Sequence, residues 1–265
     1  MPLSASAVVV AEAATPTIAP SAPLAASTMA AASSPAAAEA APANGNSKPA
    51  LLPRHAQLVF AVRRGENGLY VGEIQHRLDI SDARYSVVSA TRTAGLARWF
   101  KSYNLNQSSI GTVTAAGLHP ESFAEEKNDS GNVHNLSASF DWNAHLLHFS
   151  EGGDSPLDDG AQDSLSVLYQ LALLPLNSKT VEVSISNGRK LERYALQITA
   201  DETIATVMGP LRTIHLHKLH AQGESGMEIW LAMEYRLLPV KMQYVEPDGS
   251  VAATITITDI RVSDE

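Results

Sequence analysis

After residue 50 apolar side chains recur at every second position, and this period of two constrains the fold more than any other feature of the chain. Val181, Val183 and Ile185 alternate with polar residues up to Asn187-Gly188, and Tyr194, Leu196 and Ile198 alternate beyond it. Successive side chains on a strand point to opposite faces, so the pattern describes sheet with one face buried. Asn-Gly predicts a type I′ hairpin, because both residues accept positive φ. Met227, Ile229, Leu231, Met233 and Tyr235 form another one-sided strand, followed by Val240, Met242 and Tyr244. The turn at Asp248-Gly249 leads into Ile255 and Ile257. The apolar phase then slips to Ile260 and Val262, which predicts a bulge near Thr258-Asp259.

The first half reads similarly. Strand-like runs cover 55–63, 69–80, 84–92, 98–107, 118–126, 133–142 and 145–149. Turns fall at Gly65-Glu66-Asn67-Gly68, Asp129-Ser130-Gly131 and Gly152-Gly153. One helix is predicted over 162–174, from Leu165, Leu168, Leu171 and Ala172, with Asp163 or Ser164 as cap and Pro175 after the end. Residues 1–50 differ in kind. They are dominated by Ala, Pro and Ser, and their only charges are Glu12, Glu39 and Lys48. So few large apolar side chains cannot offset the entropy of ordering, so this leader reads as a disordered tether. The expected architecture is mainly β: one domain, 51–265, with a strongly curved antiparallel sheet or open barrel and one packed helix.

Composition excludes several classes of function. A net charge of −9 with no Lys/Arg cluster lacks the basic stripe that nucleic acid requires. Cysteine is absent, which removes disulfides, thiolate metal sites and thiol nucleophiles. No apolar run reaches the length of a transmembrane helix, and no signal peptide is visible.

The candidate chemistry is sparse. His215, His217 and His220 suggest a metal, but on a strand only His215 and His217 share a face, and no carboxylate partner is evident. His145 and His148 fall on opposite faces. Glu151, Asp154, Asp158, Asp159 and Asp163 resemble a calcium loop in composition only, and read better as a solvated loop whose last acid caps the helix. There is no Gly-x-Ser-x-Gly elbow. Glu228 and Glu234 share a face but stand roughly 20 Å apart along a strand, too far to cooperate. The expectation is therefore no catalytic residue, no metal and no cofactor. What remains is aromatic: Trp99, Phe100, Tyr103, Trp142 and Trp230 either line a cavity for an apolar ligand or fill the core.

Ile229-Trp230-Leu231-Ala232, Leu238-Pro239-Val240 and Asp248-Gly249 resemble the closing signature of domain-of-unknown-function family 3108, found in the Gram-negative cell envelope. Further pieces are similar in order: Thr93-Ala94-Gly95-Leu96; Ser109-Ile110-Gly111, then Leu118-His119-Pro120 and Phe123; Phe140-Asp141-Trp142; Asp163-Ser164-Leu165-Ser166 with Tyr169-Gln170-Leu171; Gly209-Pro210-Leu211. The likeness spans roughly 55–262. It implies an exported β domain, often behind a membrane anchor and a Pro-rich spacer. The spacer is present here without the anchor, and a start upstream of Met1 would reconcile the two. The resemblance transfers no functional residue. The expected function is non-enzymatic binding of an apolar ligand, such as a lipid chain, in the periplasm. The alternatives are a structural or assembly protein that docks another envelope protein, and a hydrolase with an unrecognised site.

Overall fold

The computed structural model describes residues 52–95, 102–218 and 224–265. The leader 1–50, Trp99, Phe100 and His220 lie outside the described residues. Eight strands form an up-and-down meander: β1 (His55–Arg64), β2 (Tyr70–Ser81), β3 (Arg84–Thr93), β4 (Tyr103–Thr114), β5 (Gly117–Asp129), β6 (Asn132–Asp141), β7 (Leu146–Phe149) and β8 (Asp154–Pro156). The short β9 (Gln162–Asp163) and a helix, α1 (Val167–Gln170), follow. A second meander then runs through β10 (Thr180–Ser186), β11 (Leu191–Thr206), β12 (Gly209–Lys218), β13 (Gly226–Ala232), β14 (Leu238–Val245) and β15 (Val251–Ser263). β1 pairs with β15 and joins the meanders into one 15-stranded sheet with edges at β8 and β9. All neighbours are antiparallel except β9 and β10.

A sheet this wide cannot stay flat, because each strand twists relative to the last. It curls around its apolar face. Leu58, Phe60, Leu78, Val87, Phe123, Leu147, Leu216, Ile229 and Ile257 are fully or almost fully buried on that face, together with Leu165, Tyr169 and Leu171 from the helical segment. The β9 end of the sheet and the helical segment after it are tied to β5 and the β4–β5 turn through side chains rather than through a ladder. Gln162 Nε2 donates to Leu118 O (2.9 Å), Leu118 N donates to Gln170 Oε1 (2.8 Å), and Gln170 Nε2 donates to Ala116 O (2.9 Å). Gly188 adds to this seam. With φ +86° it lies so close to Leu136 that a Cβ there would collide with the leucine side chain.

The bulge falls where the phase slip places it. Thr258 is skipped in the β1–β15 register, and its Oγ1 donates to Val59 O (2.9 Å). Three local expectations are corrected. The helix is shorter than 162–174: Gln162-Asp163 form β9, α1 holds four residues, and Leu171–Leu173 continue as a 3-10 turn. Leu165, Leu168 and Leu171 recur at helical spacing, but this segment is a plug buried on every side. Polar residues such as Ser166 and Gln170 are buried with it, so the stripe does not delimit a helix. The Asn187-Gly188 hairpin is not a two-residue turn, because Ser186 pairs with Leu191 and leaves a four-residue loop. In it Asn187 Oδ1 accepts from the backbone N–H of Arg189 and Lys190. The strand read over 227–235 ends at Ala232. A 3-10 turn over Met233–Tyr235 and left-handed Arg236 and Leu237 then reverse the chain.

Candidate functional site

The helical plug closes the interior at the end where β4 turns into β5. Its anchor is Asp163, which is wholly buried. Asp163 Oδ2 accepts from Ser109 Oγ (2.6 Å), and Ser109 Oγ lies 2.9 Å from Tyr85 Oη. Asp163 Oδ1 accepts from the backbone N–H of Leu165 (2.9 Å) and Ser166 (2.8 Å). Burial raises the Asp163 carboxyl above the usual range, against the opposing pull of these hydrogen bonds. This acid therefore does not belong to a solvated loop. It caps the turn before α1 from inside the core and ties it to β3 and β4. The chain of Asp163, Ser109 and Tyr85 is out of reach of any substrate.

Above the plug lies His76. Phe60 meets it edge-on at 5.2 Å, and Tyr169 Oη lies 3.2 Å from its Nδ1. Burial lowers its pKa to about 4, so the ring is neutral at neutral pH.

Beyond His76, toward the hairpin tips at 65–69, 130–131 and 246–250, packing loosens. Register and alternation place Tyr103, Met227, Tyr244, Tyr194 and Ile198 on the inner face, yet all five are only partly buried. Tyr103 is pushed up to about 12, first by burial, then by Glu125 and Asp129, with a further contribution from Tyr244. Tyr103 is on β4 and Tyr244 on β14, five strands away in the sheet order. The curl therefore brings the two sides of this mouth together. Lys218 Nζ stands over the Tyr194 ring (4.6 Å), and Tyr194 Oη donates to Glu192 Oε2 (2.6 Å). The mouth thus pairs an apolar wall with a charged rim.

The aromatic candidates do not converge on one cavity. Trp142 stacks on His119 (4.0 Å), and its Nε1 donates to Pro120 O (2.6 Å) at the opposite end from Tyr103. Trp230 is buried on the outer side of β13, stacked on His215 (4.1 Å, 8°), with Lys241 Nζ 4.0 Å above the ring. Of the five, only Tyr103 lies in the mouth; Trp99 and Phe100 are outside the described residues.

His215 has the carboxylate partners that sequence reasoning missed. Glu202 Oε2 lies 3.0 Å from Nδ1, and Glu228 Oε2 lies 3.1 Å from Nε2. Glu228 was detectable, since it pairs with His217 in the register. Glu202 was not, because a bulge at 200–201 shifts its phase. No group of three or more acidic or histidine side chains among the described residues is arranged to hold a metal ion. Glu228 lies on β13 and Glu234 in the 3-10 turn after it, bonded to Arg212 N, so they form no pair.

The outer face of β1–β6 carries a groove of about 850 Å³. Two adjacent cross-strand rows line it. One runs Gln57, Arg77, Val88, Ser108, Ala124 and Ser137; the other runs Val59, Gln75, Ala90, Asn106, Glu126 and Asn135.

The sequence matches the family described as Protein of unknown function (DUF3108) over residues 59–256. A search among curated proteins gives no match. Among solved structures the fold is similar to a beta-barrel-like protein of domain of unknown function DUF1849 from Brucella abortus. The TM-score is 0.53 at 10% identity, covering 81% of this chain and 100% of the other. At that identity the likeness concerns the fold alone. No helix among the described residues is long and apolar enough to cross a membrane.

Proposed function

The chain belongs to the family of proteins of unknown function DUF3108, and we propose that this member is a non-enzymatic binding protein of the Gram-negative envelope. It holds an apolar chain, such as a lipid acyl group, in the mouth of its curled sheet. The observation that carries this reading is the half-burial of Met227, Tyr244, Tyr194 and Ile198 on the inner face. Deeper in the shell Leu58, Phe60, Leu78 and Val87 are fully buried, and large apolar groups left half-covered in a concavity favour a ligand that covers them. Burying roughly 100 Å² of such surface contributes about 2.5 kcal/mol, so an acyl chain crossing the mouth has ample driving force. Lys218 and Glu192 at the rim suit the polar end of an amphiphile. The chain of Asp163, Ser109 and Tyr85 is sealed in the core, away from any ligand in the mouth.

Titration with a fluorescent fatty acid tests the reading. Saturable binding is expected, weakened at least tenfold by Met227→Glu, which places a charge on the apolar wall. Absence of saturable binding, or binding that ignores this variant, contradicts it.

A further inference from the structure

The groove on the outer face is independent of the mouth, and its chemistry differs. Its walls are the outward alternates of β1–β6, exposed or half-buried, and the row between them, which includes Leu58, His76, Ser89 and Leu136, also borders it but is buried in the core. It crosses six strands, so five inter-strand spacings of about 4.8 Å make it roughly 24 Å long. Amides and hydroxyls dominate the lining: Gln57, Gln75, Asn106, Asn135, Ser108 and Ser137. Its charged side chains are already engaged within the protein. Arg77 binds Asp79 (2.6 Å), and Glu126 accepts from Asn106 (3.4 Å). Among the described residues, Gln57 and Asn135, at opposite ends, make no side-chain hydrogen bond.

We propose that this groove binds an elongated, uncharged oligosaccharide. Carboxamides and hydroxyls both donate and accept, which is what the vicinal hydroxyls of a sugar require. The strand spacing is close to the length of one pyranose ring along a chain, so each ring meets one strand, and β1, β2, β4 and β6 each bring a carboxamide. Val59, Val88, Ala90 and Ala124 offer small apolar patches to the C–H faces of the rings. A polyanion is disfavoured by the net charge of −9 and finds no unpaired cation in the lining. A peptide is disfavoured because extended chains add to a sheet edge, where backbone groups are free, and not across a face.

The test is a nuclear magnetic resonance titration of the full chain. The probes are a β-1,4-linked N-acetylglucosamine pentamer, maltopentaose, an oligogalacturonate and an Ala/Pro-rich peptide. The inference requires saturable shifts of the side-chain amide signals of Gln57, Gln75, Asn106 and Asn135 with at least one neutral sugar. Ser108→Trp fills the groove from the solvent side and should weaken that binding at least tenfold. Ala124→Arg does the same at an exposed position, should the first variant not fold. No saturable shift with either neutral sugar overturns the inference. So does a response that the folded variants leave unchanged, or tighter binding of the oligogalacturonate or the peptide. None of these results bears on the fatty-acid titration, which reads the other side of the sheet.

Discussion

Acidification should strike this fold first at His76. The ring is packed against Phe60 and Tyr169 inside the shell, and its pKa falls from 6.5 to about 4 through burial. A base whose folded pKa is depressed leaves the folded state neutral while the unfolded chain takes up a proton. Stability is therefore complete above pH 6.5, is lost as pH falls toward 4, and changes no further below that. Between pH 7 and pH 4.5 the two titration curves differ by close to two protonation decades, a loss of about 2–3 kcal/mol. Carboxylates titrate in the same window, so the informative quantity is a difference. His76→Gln keeps a polar group opposite Tyr169 Oη and removes the titration. Urea unfolding followed by circular dichroism, on parent and variant at several pH values, should show their stability difference moving by about 2–3 kcal/mol in favour of the variant as pH falls. Parallel pH profiles would refute the placement of a neutral His76 in a closed interior.

Variants at three further residues probe the same packing. Asp163→Ala strands the N–H groups of Leu165 and Ser166 and the Ser109 hydroxyl, and should cost about 3–5 kcal/mol in denaturant unfolding. Asp163→Asn should cost much less; because burial raises the Asp163 pKa, the parent loses stability as pH rises above the ordinary aspartate value of 3.8 until the raised folded pKa is passed, and the Asn variant should gain on it over that window. Gly111→Ala should lose about 3 kcal/mol or more by thermal unfolding, since a Cβ there meets the His119 carbonyl oxygen and sits 2.8 Å from Tyr85 Cε1. Trp230→Ala should cost about 3–5 kcal/mol, because the indole fills the space between His215 and Lys241.

Most of the sheet is legible in the chain because one of its faces is wet. Where β10 and β15 alternate, the pleat writes itself into the residues, and even the Thr258 bulge shows as a slipped phase. The plug is less legible: buried on all sides, it has no polar face to limit the helix, so a stripe over 162–174 overstates α1. Asp163 misleads for a related reason. Its acidic neighbours suggest solvent, and only the curl that brings β4 over β9 buries it. The groove leaves no trace in the sequence. Its walls come from six strands, and each contributes two ordinary residues; the register alone makes a row of Gln57, Arg77, Val88 and Ser108. The aromatic candidates scatter because large rings serve packing on both faces, as Trp142 and Trp230 do on separate elements.

The most direct measurement is organic extraction and mass spectrometry of the full-length protein purified gently from its own cells. An acyl-chain molecule is expected in near-stoichiometric amount, exchangeable for added fatty acid and depleted from the Met227→Glu variant. Protein that is free of such a molecule and takes up none on incubation would contradict the claim that the half-covered mouth is a binding site.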